Sequence, residues 1–141
     1  MRKIGAALVL IAMLFAVPAQ AATSVVASIS ISQQRMTVLV NGIPRYHWLV
    51  STARRGYRTP MGSFRPHRLE RIWYSRKYDL SPMPHSVFFR GGYAVHGTNY
   101  VKRLGTPASH GCVRLAPGNA ATLYGLVRQY GMANTRIIVS R

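Results

Sequence analysis

Acidic residues are almost absent from this sequence. Among 141 residues there are 2 acids, Glu70 and Asp79, against 19 lysines and arginines, which gives a formal net charge of +17. Glycoside hydrolysis usually requires two carboxylates that flank the scissile bond, and two-metal hydrolysis usually requires several carboxylate ligands. Because both acids lie in one short basic and aromatic segment, neither chemistry is well supported.

The sequence has a single long apolar run, which lies near the N-terminus. Two basic residues precede the uncharged run Ile4–Val17, and Ala19–Ala21 fits the small-x-small pattern of a cleavage site. The run is about 14 residues long, shorter than the ~20 that span a bilayer. The sequence therefore predicts a signal peptide over residues 1–21, with an uncleaved anchor as the alternative. Residues 22–141 are expected to form one domain, with no further membrane span.

Cysteine is represented by a single residue, Cys112. In an exported protein one cysteine cannot form an internal disulfide, so its thiol pairs with another molecule, stays buried or reacts. A buried structural cysteine is the plain alternative, because free cysteines are often buried.

The charge that remains is basic along the whole chain, and it predicts polyanionic surroundings. Export favours anionic envelope polymers as these partners. The basic residues are scattered and lack the aromatic-interleaved pattern of a nucleic-acid-binding surface, so we expect no nucleic-acid partner. The expected location is the periplasm or the cell wall.

Hydrophobic periodicity predicts a mainly β fold. Val25–Ser32 alternates apolar and small polar residues, and the β-branched runs Met36–Val40 and Ile43–Val50 flank an Asn41-Gly42 hairpin signal. Further extended segments are predicted at 63–67, 86–90, 93–96, 109–115 and 135–139.

Two segments depart from this β pattern. One helix is predicted to begin at Pro117 and to be capped by Gly131, with apolar residues at helical spacing between them. Leu69–Pro84 is predicted to be the least regular part, either a flap over a site or a surface loop.

The stretch His96–Arg114 concentrates the residues that can carry chemistry. A cysteine thiol with a pKa of about 8.5 supplies little thiolate at neutral pH, and an adjacent histidine overcomes this by accepting the proton. On an extended segment, His110 and Cys112 point to the same face, whereas His96 has to come from a neighbouring strand. These considerations leave the choice of histidine open.

Gly111 and the scarcity of acids bear on the rest of such a site. Backbone N–H groups at Gly111 and Cys112 are candidates for stabilising an oxyanion, since glycine permits a close approach of the substrate. A carboxylate as third catalytic member is improbable. A backbone carbonyl or a hydroxyl near Gly97 or Thr98 is expected to orient His96.

A zinc site is the alternative use of the same side chains. His96, His110 and Cys112 are ligand types that zinc accepts in catalytic sites with a bound water. However, metal-bound histidines usually rely on carboxylate partners, which are scarce here. We expect no metal.

Several motifs together resemble the L,D-transpeptidase catalytic domain (YkuD-like) family. They are the segments 59–64 (TPMGSF), 91–97 (GGYAVHG) and 109–115 (SHGCVRL). The resemblance covers essentially all of residues 22–141, and it implies a β-sandwich with one packed helix near the C-terminus. It implies no cofactor and no metal.

The resemblance also implies a role for each motif position. Cys112 attacks the carbonyl of the third residue of a peptidoglycan stem peptide, a diamino acid, and His96 transfers protons. A thioester forms and an acceptor amine resolves it, in cell wall cross-linking or remodelling. The other implied positions are Ser109, His110 and Gly111, which shape the site and its oxyanion hole, and Gly97 and Arg114, which support the substrate or the fold.

Two alternatives to the transpeptidase remain open. The first is an L,D-carboxypeptidase or amide-trimming enzyme of the same fold, in which a different acceptor ends the cycle. The second is a non-catalytic, cationic envelope-binding protein with an inert thiol.

Overall fold

A computed structural model describes residues 23–141, so the predicted signal peptide lies outside the described residues. Within this range, nine strands and one α-helix are present. They are, in chain order, β1 (Val25–Ser30), β2 (Arg35–Val40), β3 (Ile43–Leu49), β4 (Gly62–Phe64), β5 (Arg68–Ser75), β6 (Ser81–Arg90), β7 (Tyr93–Gly97), β8 (Val113–Leu115), α1 (Pro117–Tyr130) and β9 (Thr135–Ser140).

The strands form two sheets that share one buried core. The first sheet has the order β3-β2-β1-β9-β4 and the second the order β5-β6-β7-β8. One apolar cluster takes residues from both sheets and from α1, among them Val25, Val38, Val95, Val113 and Leu123, all almost completely buried. The mainly β fold with a packed helix near the C-terminus, predicted from the sequence, is confirmed.

The local signals for one hairpin and for the helix are also confirmed. Asn41 and Gly42 join β2 to β3 with φ angles of 51° and 79°, and the two-residue turns that suit a hairpin require positive φ at both positions. Helix α1 begins at Pro117, and Gly131, with φ 94°, donates its N–H to the Val127 carbonyl at its end. Among the described residues, no helix is long and apolar enough to cross a membrane.

The prediction of an irregular segment at Leu69–Pro84 is wrong. These residues form most of the β5–β6 hairpin, paired from Arg68–Phe88 to Ser75–Ser81. Proline lacks an N–H and is tolerated in edge strands. Pro82 and Pro84 satisfy this condition because β6 pairs with β7 only over its last residues, so the proline-containing part has β5 as its one neighbour.

Candidate active site

Strands β7 and β8 contain the two ends of the stretch His96–Arg114. They are parallel, and His96 pairs with Arg114. Val95 and Val113 fill the core, and successive side chains of a strand point to opposite faces. His96 and Arg114 therefore face away from the core, as does Cys112, which directly precedes β8.

The Cys112 thiol is half-buried against backbone groups of β7 and the turn before it. The Ala94 N–H donates to Sγ at 3.4 Å, and the Gly92 carbonyl lies 3.9 Å from Sγ. Burial raises the pKa of this thiol, while the Ala94 N–H and the Arg114 charge act in the opposite direction. The balance favours a protonated thiol in the free protein.

His96 is buried and has one defined tautomer. Its Nδ1 lies 2.7 Å from the Gly97 carbonyl; since a carbonyl only accepts hydrogen bonds, Nδ1 carries the proton and Nε2 is free to accept one. The pKa of His96 is lowered from 6.5 to about 4, mainly by burial. The hydrogen bond to the Gly97 carbonyl raises this pKa, and the positive charge of Arg114 lowers it further. The backbone-carbonyl partner expected near Gly97 is thus present.

The segment before Cys112 is not extended, contrary to the prediction for residues 109–115. Only Val113–Leu115 is strand, because Gly111 has a φ of 135° and the chain turns there. The Ser109 hydroxyl closes this turn: Oγ accepts the Gly111 N–H at 3.0 Å and donates to the Cys112 carbonyl at 2.6 Å. Two backbone N–H groups were predicted to stabilise an oxyanion. The Gly111 N–H is already hydrogen-bonded to Ser109 within this turn, so the Cys112 N–H is the one that is available to an oxyanion.

His110 is held by aromatic rings. It stacks on Tyr78 at 3.9 Å between ring centroids with an interplanar angle of 8°, and Tyr57 meets it edge-on at 4.8 Å. Burial and the nearby cations of Arg54, Arg114 and Lys77 lower its pKa. Because Tyr78 belongs to the turn of the β5–β6 hairpin, this stack joins the hairpin tip to the turn that carries Cys112.

One cavity of about 900 Å³ brings most of the predicted residues together. Cys112, His96, His110, Ser109 and Arg114 all line it. Other lining residues come from the β5–β6 hairpin, and most of them lie in Leu69–Pro84, the segment interpreted from the sequence as a flap over a site or a surface loop: Arg68, Trp73, Ser75, Arg76, Lys77, Tyr78, Ser81, Pro82, Met83 and Phe88. Their only sequence signal is the aromatic and basic content of the segment.

Gly97 lies apart from the cavity lining and serves packing. A Cβ at this position would lie 3.1 Å from Pro84 Cγ and 3.3 Å from Ala120 Cβ. Gly97 therefore lets β7 approach the proline-containing part of β6 and helix α1 closely, and its carbonyl holds His96.

The zinc alternative lacks a ligand set. Within residues 23–141, no group of three or more His, Cys, Asp or Glu side chains is placed to hold a metal ion. His96, His110 and Cys112 therefore share a cavity without forming a metal-binding arrangement.

Comparison with known protein families identifies the class of this domain. Residues 24–139 match the family described as "YkuD: L,D-transpeptidase catalytic domain". The chain belongs to the YkuD L,D-transpeptidase catalytic domain family. Among curated proteins no significant match is found.

Solved structures of L,D-transpeptidases have the same fold. The L,D-transpeptidase of Mycobacterium smegmatis is 26% identical with a TM-score of 0.73, over 84% of this chain and 59% of that one. That of Stackebrandtia nassauensis is 25% identical with a TM-score of 0.73, over 87% and 58%. L,D-transpeptidase 3 of Mycobacterium tuberculosis, in complex with a faropenem-derived adduct, is 25% identical with a TM-score of 0.70, over 84% and 60%. This chain thus spans about three fifths of the length of each structure.

The buried neutral His96 predicts a pH dependence of stability. Between pH 6.5 and about 4 the unfolded chain binds a proton at this residue that the folded chain does not. As the pH falls through this range, the free energy of unfolding should decrease by on the order of 3 kcal/mol through His96. Urea unfolding between pH 7 and pH 4 measures it. His96→Gln should remove this part of the slope and His47→Gln, at an exposed position, should keep it; equal slopes in both variants would contradict the assignment.

Gly111 should not tolerate any side chain. A Cβ there would lie 2.5 Å from Tyr93 Cε1 and 2.8 Å from the Arg58 carbonyl oxygen, at a φ of 135°. Gly111→Ala is expected to lower the free energy of unfolding by more than about 1 kcal/mol, measured by urea unfolding. Gly118→Ala is the matched control, since nothing lies within 4 Å of its added Cβ. The close packing at Gly111 is refuted if both variants unfold alike.

Proposed function

We propose that this protein is an exported L,D-transpeptidase that acts on peptidoglycan stem peptides through a thioester at Cys112. The observation that carries the proposal is the pairing of β7 with β8, which puts the Cys112 thiol and His96 on one face and in one cavity. The solved relatives named as L,D-transpeptidases support the same reaction class. Residues 1–21 are proposed to be the signal peptide, residues 22–141 the catalytic domain, and the periplasm or cell wall the location.

The first half of the cycle forms the thioester. His96 Nε2 accepts the Cys112 proton as Sγ attacks the carbonyl carbon of the third stem residue. Because both groups are neutral beforehand, proton transfer accompanies the attack. The Cys112 N–H is the donor available to the oxyanion, and the Arg114 charge favours the developing thiolate. Collapse of the tetrahedral intermediate breaks the amide, and the imidazolium returns its proton to the departing D-alanine amine.

The second half transfers the acyl group. An acceptor amine attacks the thioester carbonyl, His96 removes a proton from the amine, and the sulfur leaves as thiolate. The imidazolium then reprotonates Cys112, so the product is an amide and the free enzyme is restored. Ser109 and Gly111 maintain the turn that positions Cys112, and His110 forms part of the cavity wall beside Tyr78.

Covalent labelling by faropenem tests the nucleophile. The β-lactam carbonyl should acylate Cys112, which adds a faropenem-derived mass to the intact protein, and Cys112→Ala should abolish the addition. A mass shift that persists in Cys112→Ala would exclude Cys112 as the nucleophile.

The rate of the same acylation tests the base. His96→Ala should slow acylation by ~10²- to 10⁴-fold, the usual contribution of general base catalysis. His110→Ala is the matched variant and should slow it less; the reverse order would assign the base to His110.

Product analysis with a defined tetrapeptide muropeptide tests the acceptor. A transpeptidase should release D-alanine and form a cross-linked dimer in equal amounts, measured by chromatography with mass detection. Tripeptide without dimer would instead favour the L,D-carboxypeptidase alternative, because water would then resolve the thioester. Binding to cell wall without any product would favour the non-catalytic envelope-binding alternative.

A further inference from the structure

A row of residues crosses the second sheet from Cys112 to its far edge. The Ala94 N–H contacts Cys112 Sγ, Ala94 pairs with Phe88, and Phe88 pairs with Arg68. Paired residues on adjacent strands point to the same face. Arg68 therefore lies on the same face of the sheet as Cys112, three strands away, and lines the same cavity.

Arg68 is held in place by two aromatic rings. Its guanidinium carbon lies 4.0 Å from the centroid of Phe88 and 4.5 Å from that of Trp73. The two rings meet edge-to-face at 5.9 Å with an interplanar angle of 86°, so the guanidinium occupies the corner between them. Stacking of this kind orients the planar guanidinium and removes much of the freedom that a surface arginine would have.

The hydrogen-bonding capacity of Arg68 is largely unused. Its Nε is buried without a hydrogen-bond partner and lies 3.9 Å from Glu70 Oε1, beyond hydrogen-bond distance. Within residues 23–141, no hydrogen bond is made by its Nη groups, and the side chain is 41% exposed. Glu70 and Asp79 do not line the cavity, whereas Arg58, Arg76, Lys77 and Arg114 do. Glu70 is thus an ion-pair partner of Arg68 through Nε, from outside the cavity lining, and it makes no hydrogen bond to the Nη groups.

We propose that Arg68 binds a carboxylate of the acyl donor. This carboxylate lies at the end of the side chain of the third stem residue, the residue whose backbone carbonyl Cys112 attacks. The proposal rests on the function proposed above. The guanidinium lies over Phe88, two strands from Cys112, which is about 10 Å at ordinary strand spacing. An extended side chain with a terminal carboxylate, such as that of a diaminopimelyl residue, spans this distance from an acylated sulfur. A guanidinium fixed in orientation binds a carboxylate through two parallel N–H groups.

Two donor peptides that differ in this carboxylate test the proposal. They are stem tetrapeptides with meso-diaminopimelate or lysine at the third position, both ending in D-alanine. Hydroxylamine serves as a common acceptor that converts the thioester to a hydroxamate and frees the thiol. The measurement is kcat/KM for D-alanine release. Wild type should prefer the diaminopimelyl donor by about 10-fold or more, the effect of a hydrogen bond between charged groups.

Variants at two arginines of β5 separate binding from a structural role. Arg68→Gln should reduce the preference to about 1, mainly by lowering kcat/KM for the diaminopimelyl donor. Arg71→Gln is the matched control, because Arg71 is exposed on the same strand and does not line the cavity; it should keep the preference. Arg68→Lys retains the charge without the two-pronged geometry and should give an intermediate preference, which keeps the test valid if Arg68→Gln folds poorly.

The outcomes distinguish the inference from the function on which it rests. If wild type releases D-alanine from neither donor, the proposed function fails. If wild type reacts but the Arg68 variants keep its preference, or lose activity equally with both donors, the role of Arg68 is overturned while the transpeptidase proposal stands.

Discussion

The parallel pairing of β7 with β8 is the contact on which the site depends. It sets His96 beside Arg114 and places Cys112 against the Ala94 N–H, so thiol, imidazole and guanidinium share one face. The opposite face of the same two strands carries Val95 and Val113, which are fully buried in the core. Shifting the register by one residue would exchange these faces. The free energy of core packing therefore also holds the reactive groups together.

The scarcity of acids explains the electrostatic design of the site. A carboxylate next to His96 would favour its protonated form, whereas the Gly97 carbonyl fixes the ring with a partial charge only. Burial then keeps the imidazole neutral, with Nε2 able to accept a proton, and keeps the thiol protonated. In the proposed mechanism, the dipole of the Gly97 carbonyl thus takes the place of a third catalytic side chain.

Sequence reasoning predicted those parts of the fold that local chemistry determines. Asn41-Gly42 determines its turn through positive φ, and Pro117 and Gly131 delimit the helix, so these elements could be assigned without tertiary information. The prolines of β6 suggested irregularity, because nothing local shows that this part of the strand has a partner on one side only.

The features of the site that were not predicted from the sequence have similar physical causes. The spacing of His110 and Cys112 suggested a shared strand face, but the positive φ of Gly111 turns the chain between them. Burial of His96 depends on packing across strands, which spacing along the chain does not encode, whereas its backbone partner Gly97 is its sequence neighbour and was predicted. Arg68 is more than 40 positions from Cys112 in sequence, and only the four-stranded register brings it to the same cavity.

The cationic cavity bears on both halves of the proposed cycle. Its arginine and lysine side chains would attract the anionic donor peptide of the proposed reaction, and Arg68 would orient the bound carboxylate. The same charges disfavour any further cation, so they lower the pKa of an acceptor ammonium that enters the cavity. An acceptor amine is nucleophilic only when it is neutral, and a neutral His96 has the capacity to take the proton that the amine loses during attack. In the proposed cycle, the excess of basic residues around the thiol thus favours the carboxylate form of the donor, which Arg68 would bind, and the uncharged form of the acceptor amine, which attacks the thioester.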